Sequence, residues 1–361
     1  MTLEQLNELF LRYLQRFPND GDIRSHVSKS YEHFERELSE CNEYKNLING
    51  ERVGAFSTSS ERIAILLTGH IRNYNIIETL SNKLQNQPFD VFVHTWDNIG
   101  KKGKETNLND KIEYDTVKRV VYSIPNLKSV IIENNNVFIT SLPKSDCKYF
   151  NFSSPEPFIK SQLYSIYKTH ELMEKYKKEN NVQYKAVFKL RFDSIISQFV
   201  LSQKLLQDIN TMDIIFTSDE NAHVHKDSGH GAGCMVCNKM YYDFNLRHPH
   251  VFEHSNVICD FYAYGSEKAM KKYCSMYEVY DKMIKEYESV NLKSFETFKH
   301  QLSKTENGYT LHDSSNLNKD WMGHLYSFYY FYCSYPERIL KDLLKEYMLV
   351  KSTLIKVKHV R

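Results

Sequence analysis

The sequence predicts an α/β fold with a mainly parallel central sheet, led by a small N-terminal helical module. Three observations carry this. From Arg62 onward, short β-rich apolar runs alternate with helical stretches, the pattern of strands joined by crossover helices. Before that point, apolar residues recur only at helical spacing. Several of the apolar runs also end in Gly, Arg or Asp, and in parallel sheets the loops leaving the strands' carboxyl ends converge on one crevice.

Leu3, Leu6, Phe10 and Leu14 mark the first helix. "FPNDGD" breaks it, and Ile23–Val27 and Phe34–Leu38 predict two further helical pieces before "NEYKNLI". Residues 1–50 read as the helical module, and the Gly- and Ser/Thr-bearing, aperiodic residues 51–61 as a linker. "RIAILLTG" then predicts strand one, Ile76–Leu84 a helix, "FDVFVHTW" strand two and "SVIIE" strand three. A long helix from Phe158 to Lys178 leads into strand four, "AVFKLRFD", and "MDIIF" supplies a fifth strand. The main domain spans 62–348, with 349–361 a basic C-terminal tail.

Composition excludes several classes. Aromatics make up 14% of 361 residues, with 26 Tyr and 21 Phe, so the chain can bury a large core. Net charge is +2, from 47 basic and 45 acidic residues, which argues against a nucleic-acid partner. Seven scattered Cys, an odd number, do not form a secreted disulfide framework. The opening "MTLEQLNELFLRYLQRF" carries Glu4 and Glu8 and so lacks a signal peptide's apolar core. No run reaches the roughly 18 apolar residues of a membrane span. The expectation is a cytoplasmic protein without a transmembrane segment, with peripheral membrane association as the variant.

The polar residues at strand ends are the candidate chemistry. "LLTGHIRN" puts Gly69 at a strand-to-helix turn, where backbone amides can face an anion, and Arg72 adds a guanidinium fork for phosphate. It is neither a Walker loop nor a dinucleotide fingerprint, and an ordinary turn is the plainer reading. "DVFVHTWD" leaves Trp96 to stack a base and Asp97 to meet a ribose hydroxyl, against a Trp that is only core. In "KLRFD", Asp193 suits a hard divalent cation on a diphosphate and Arg191 the leaving phosphate. A structural Arg–Asp pair is the rival. His223, His225, His230, Cys234 and Cys237 resemble half a zinc site, but the interleaved glycines favour a mobile active-site loop. Asp260, among aromatics, is a candidate base toward an acceptor hydroxyl, or else a carboxylate bonded to backbone. His312 is a candidate metal or phosphate ligand, or a solvated loop residue.

Taken in order, "RIAILLTGHIRNY", "FDVFVHTWD", "SQLYSIYKTHELMEKY", "YKAVFKLRFDS" and "ICDFYAYGSEKAMKKY" resemble a family of surface-glycan glycosyltransferases. These are of capsule and lipopolysaccharide type, and some occur in large DNA viruses. "YPERILKDLL" is similar to the family's closing Pro-Glu segment, and the likeness covers roughly residues 62–348. The resemblance implies a GT-A type fold, in which a nucleotide-binding α/β half leads into an acceptor half. Such enzymes often carry an Asp-x-Asp metal motif; here the place reads Arg191-Phe192-Asp193. The Asp-Gln common before the late Gly-Ser turn reads Asp260-Phe261. "LFLRYLQRFPNDGDI" and "ELSECNEYKNLI" resemble a helical repeat found beside bacterial surface-glycan enzymes, which implies tethering or homo-oligomerisation through these helices.

The expectation is a transferase moving a sugar from a nucleotide-diphosphate donor to a glycan acceptor in polysaccharide biosynthesis. Thr68, Gly69, His70, Arg72, Trp96, Asp97 and Arg191 would bind the donor, Asp193 (with His312 a further candidate) would hold Mn²⁺ or Mg²⁺, and Asp260 and Arg191 would be catalytic. Two rivals stand: a non-catalytic glycan-binding or scaffold protein on the same fold, and a nucleotidyltransferase, which wants more than one carboxylate for its metals.

Overall fold

The computed structural model describes residues 1–49, 62–72, 75–84, 87–100, 110–143, 156–218, 262–283, 285, 343–344, 346–352 and 355–359. The linker, the Cys/His-rich segment, Asp260 and His312 lie outside these residues.

The N-terminal module is helical: α1 is Leu3–Leu14, α2 Asp20–His26, α3 Tyr31–Glu40 and α4 Asn42–Asn49. Reciprocal capping boxes start α1 (Thr2 with Gln5) and α2 (Asn19 with Asp22), because each satisfies two orphan amides. Leu6, Leu9, Phe10, Phe34, Leu38 and Tyr44 form the module's own core. The break before Pro18 is made by Gln15 in the left-handed region, φ 51°. Arg16 then ties the helices together, bonding Glu43 at 2.7 and 2.9 Å and Asp22 at 2.8 Å.

The module is not an isolated appendage. Leu11 leaves the helical core and joins the apolar core under the main sheet. The fully buried Gln15 side chain donates to Val200 O at 2.8 Å and accepts from Ser202 N at 2.8 Å. Helical spacing reveals one apolar face of α1, whereas the helix buries residues on two sides.

The main sheet has the order β3-β2-β1-β4-β7-β6-β8. Its strands are β1 Ile63–Thr68, β2 Phe89–Trp96, β3 Leu127–Glu133, β4 Ala186–Arg191, β6 Ile214–Ser218, β7 Tyr262–Gly265 and β8 Met348–Ser352. Only β7 runs against its neighbours; every other pairing is parallel. The mainly parallel α/β class expected from the alternating runs is therefore present. β5 (Ser194–Phe199) and β9 (Ile355–His359) form a separate antiparallel pair. Within the segment read as a basic tail, the described residues form the end of β8 and the strand β9.

β1 is a continuous apolar run because both its faces are covered. Ile63, Ile65 and Leu67 pack on one side with residues of α5 (Asn75–Lys83) and α6 (Asp110–Tyr122). Ala64 and Leu66 pack on the other with residues of the long helix α8 (Glu156–Asn180) and of α10 (Glu267–Cys274). Between these lie α7 (Asn135–Ser141) and α9 (Gln203–Asp208). No helix among the described residues is long and apolar enough to cross a membrane. The register places Thr68 opposite both His94 and Arg191, so three strand ends are level at one edge.

Candidate functional site

At this edge three turns meet: Gly69–Arg72 after β1, Asp97–Gly100 after β2, and Phe192–Asp193 after β4. Strand four delivers its charges in register with the others. Arg191 grips Asp193 through both carboxylate oxygens, Nε to Oδ1 at 2.9 Å and Nη2 to Oδ2 at 2.6 Å. Arg72 approaches the same carboxylate at 3.6 Å. Asp193 is buried, while the Arg72 side chain is 38% exposed. Two guanidiniums therefore surround one carboxylate at the crevice. Burial, and then the neighbouring Arg191 charge, lower the pKa of Arg72, with Asp193 opposing them only in part.

The turn carrying Arg72 is tightly fixed. Gly69 has φ +91°, and a Cβ there would meet open space, so backbone conformation rather than crowding favours Gly. Its amide donates to Ser165 Oγ at 2.8 Å and its carbonyl accepts from Thr95 Oγ1 at 2.8 Å. The Gly69 amide is therefore held by α8 rather than turned toward the crevice. Arg72 N then closes on His70 O at 3.0 Å. The opposing turn packs down on this one: a Cβ on Gly100 would lie 2.9 Å from His70 Cβ and Cγ and 3.2 Å from Arg72 Nε. His70 Nδ1 lies 3.2 Å from Asn98 O, so it carries the proton and donates. Burial pushes the His70 pKa down to about 4, with the charges of Arg72 and Arg191 acting in the same direction.

The other expected donor residues are placed as follows. The Thr68 hydroxyl donates across to Leu190 O at 3.4 Å, stitching β1 to β4. Trp96 is 1% exposed, near-parallel to Tyr164 at 6.0 Å and tilted against Phe138 at 5.1 Å. Its faces are covered, so it is a wall behind the crevice rather than an open platform for a base. Asp97 accepts from Asn135 N and Asn98 Nδ2, each at 3.2 Å, and from Asn134 Nδ2 at 2.5 Å. Its oxygens cap α7 and order the turn.

A divalent cation takes several oxygen ligands, usually more than one carboxylate or a water-rich shell. Both oxygens of Asp193 are held by Arg191, and no cluster of three or more His, Cys, Asp or Glu able to hold a metal exists among the described residues. In this arrangement Asp193 is a guanidinium ligand, and the described residues around it do not fit a metal centre.

Sequence reading missed Ser165, His94, Thr95, Asn98 and Gly100. The available signal was "HTW" at the end of β2, where the period of two sends His94 and Trp96 toward α8 and Thr95 toward the opposite face.

No known family's profile and no curated protein matches the sequence. Solved structures match in part. The bifunctional glycosyltransferase WbbM, in its apo structure, is 10% identical over 62% of this chain and 35% of its own, with a TM-score of 0.31. Mouse xyloside xylosyltransferase 1, also apo, is 11% identical over 60% of this chain and 70% of its own, with a TM-score of 0.30. The mannosyltransferase Ktr4p of S. cerevisiae is 12% identical over 59% of each chain, with a TM-score of 0.24. The chain thus spans 35% of the length of WbbM.

Proposed function

We propose that the chain is a glycosyltransferase of GT-A type that takes a sugar from a nucleoside-diphosphate donor and passes it to a hydroxyl of a glycan acceptor. The observation that carries this reading is the Arg72–Asp193–Arg191 cluster at the carboxyl edge of the parallel strands. Breaking a glycosyl–phosphate bond leaves negative charge on the bridging oxygen of the diphosphate. Preorganised guanidiniums in a partly buried site stabilise that charge more than water does. Asp193 holds Arg191 in place, and Arg72 is the more accessible cation. The motif order of the sequence supports the same class. Gly69 and His70 shape the turn, Trp96 and Asp97 back it, and Asp260 remains the proposed base toward the acceptor hydroxyl.

Binding tests the reading directly. Thermal shift and calorimetry with UDP, GDP and their sugar conjugates should show stabilisation that survives EDTA and is lost in Arg191→Ala. Stabilisation by nucleoside triphosphates alone would make the chain a nucleotidyltransferase. Silence across the panel would leave a glycan-binding or scaffold protein.

A further inference from the structure

Three side chains that the donor site does not use converge on a single residue of it. The Ser165 hydroxyl, fully buried on α8, accepts from Gly69 N at 2.8 Å, lies 3.0 Å from His94 Nδ1 and donates to His94 O at 3.1 Å. An amide N–H can only donate, so Oγ is the acceptor for Gly69 however its own proton is shared. His94, also fully buried, is backed by Trp96 and Tyr164 in edge-on contact at 5.0 and 5.5 Å, and its Nε2 lies 3.7 Å from Glu133 Oε2. From the other strand face the Thr95 hydroxyl donates to Gly69 O at 2.8 Å. Both polar groups of Gly69 are thereby fixed by side chains from two elements.

The neighbouring hydroxyls of α8 show that this is not ordinary helix chemistry. Ser and Thr within helices commonly bond back to the carbonyl four residues earlier. Ser161 does so to Pro157 O at 2.8 Å, and Thr169 to Ser165 O at 2.6 Å. Ser165 instead reaches across the sheet. Gly69 needs such restraint: φ +91° is a conformation that glycine adopts freely and leaves as freely, and Arg72 is carried three residues on.

We propose that Ser165, oriented by His94, and Thr95 are positioning residues that clamp the backbone of Gly69 on both sides and so aim Arg72 at the donor diphosphate. This rests on the donor reading above. None of the three touches the anion; they set the geometry of the residue that does, and small displacements of a charge-stabilising group are costly to its function.

The test compares Ser165→Ala and Thr95→Val with Thr169→Ala, which removes an equally buried hydroxyl of the same helix without touching Gly69. Amide hydrogen exchange over residues 69–72 and calorimetric affinity for UDP and GDP are measured on the full chain. Ser165→Ala and Thr95→Val should each weaken nucleoside-diphosphate binding about tenfold, the scale of one net hydrogen bond. Exchange at 69–72 should speed by a similar factor in Ser165→Ala. Thr169→Ala should lower the melting temperature comparably yet bind as wild type. Equal binding losses in all three variants, or none in Ser165→Ala and Thr95→Val, would overturn the clamp. A wild-type protein that binds neither UDP nor GDP removes the donor reading and this role with it; unchanged exchange in Ser165→Ala instead shows that the clamp itself is wrong.

Discussion

The two edges of the central sheet each bury a carboxylate among cations, yet the arrangements differ. At the amino edge, Asp90 is 1% exposed and both its oxygens are held by Arg62. Tyr184 donates to it at 3.0 Å and Lys128 stands at 3.5 Å. The hydrogen bond to Asp90 is the largest influence on Arg62 and raises its pKa, so that guanidinium is better off folded than free. At the carboxyl edge, Arg191 takes both oxygens of Asp193, and Arg72 is left beside another cation with a lowered pKa. The first cluster is a lock that joins β1, β2, β3 and the lead-in to β4. In the second, Arg72 stands 3.6 Å from a carboxylate whose two oxygens Arg191 already holds, and the proposed function would seat a diphosphate there. Pairing alone therefore does not separate the two clusters; they differ in that the bond to Asp90 raises the pKa of Arg62, whereas burial lowers that of Arg72.

The largest effect should come from the lock. Asp90→Ala leaves Arg62, Lys128 and Tyr184 without their common acceptor, and losing the buried carboxylate with its charge-assisted bonds should cost about 2–3 kcal/mol. Chemical denaturation should register that loss, while the protein that remains folded binds nucleoside diphosphate as before. At the opposite edge, Arg72→Ala should change stability by no more than about 0.5 kcal/mol. Its affinity for UDP or GDP should fall by about 10–100-fold, the range for a charge-assisted hydrogen bond. If Asp90→Ala abolishes binding in folded protein, or Arg72→Ala unfolds the chain, the contrast between lock and receptor fails.

Much of this was legible in the sequence. "RIAILLTG", "FDVFVHTW" and "AVFKLR" are strands covered on both faces, and a run without polar interruption signals that directly. The Arg191–Asp193 spacing suggested a metal carboxylate beside a phosphate-binding arginine, with an ion pair as the rival, and the two side chains are bonded to each other. What stayed hidden depends on partners far along the chain. Gly69 meets Ser165, 96 residues later, and nothing local distinguishes Ser165 from Ser161. Gln15 is an ordinary polar residue until the backbone of 200–202 is set against it. Trp96 looked like a binding platform because a strand-end aromatic is equally compatible with a covered wall, and only packing separates the two. The lysine-bearing segment of β8 and β9 reads as a tail because its strand pairing depends on β6 and β5, more than 100 residues earlier.

The smallest effect concerns His70, which sits between the two turns of the receptor. Its Nδ1–H is held by Asn98 O, Gly100 closes against its Cβ and Cγ, and burial with two nearby guanidiniums lowers its pKa from 6.5 to about 4. Between those values the unfolded chain binds a proton at this site and the folded chain does not. Stability therefore rises with pH across the window and is lost as pH falls from about 6.5 toward 4. His70→Asn keeps a donor for the Asn98 carbonyl and removes the titration. Between pH 7 and pH 5.5, where most carboxylates stay ionised, wild type should lose about 1 kcal/mol more than the variant in denaturant titrations. An anion seated on Arg72 and Arg191 would offset their charges, raise the His70 pKa and shrink that difference, so repeating the titration in saturating UDP or GDP sharpens the comparison. A difference that is flat with pH would mean that burial does not lower the His70 pKa in the folded chain. One that persists unchanged with nucleotide bound would mean either that burial alone sets the shift or that the diphosphate lies away from the two arginines.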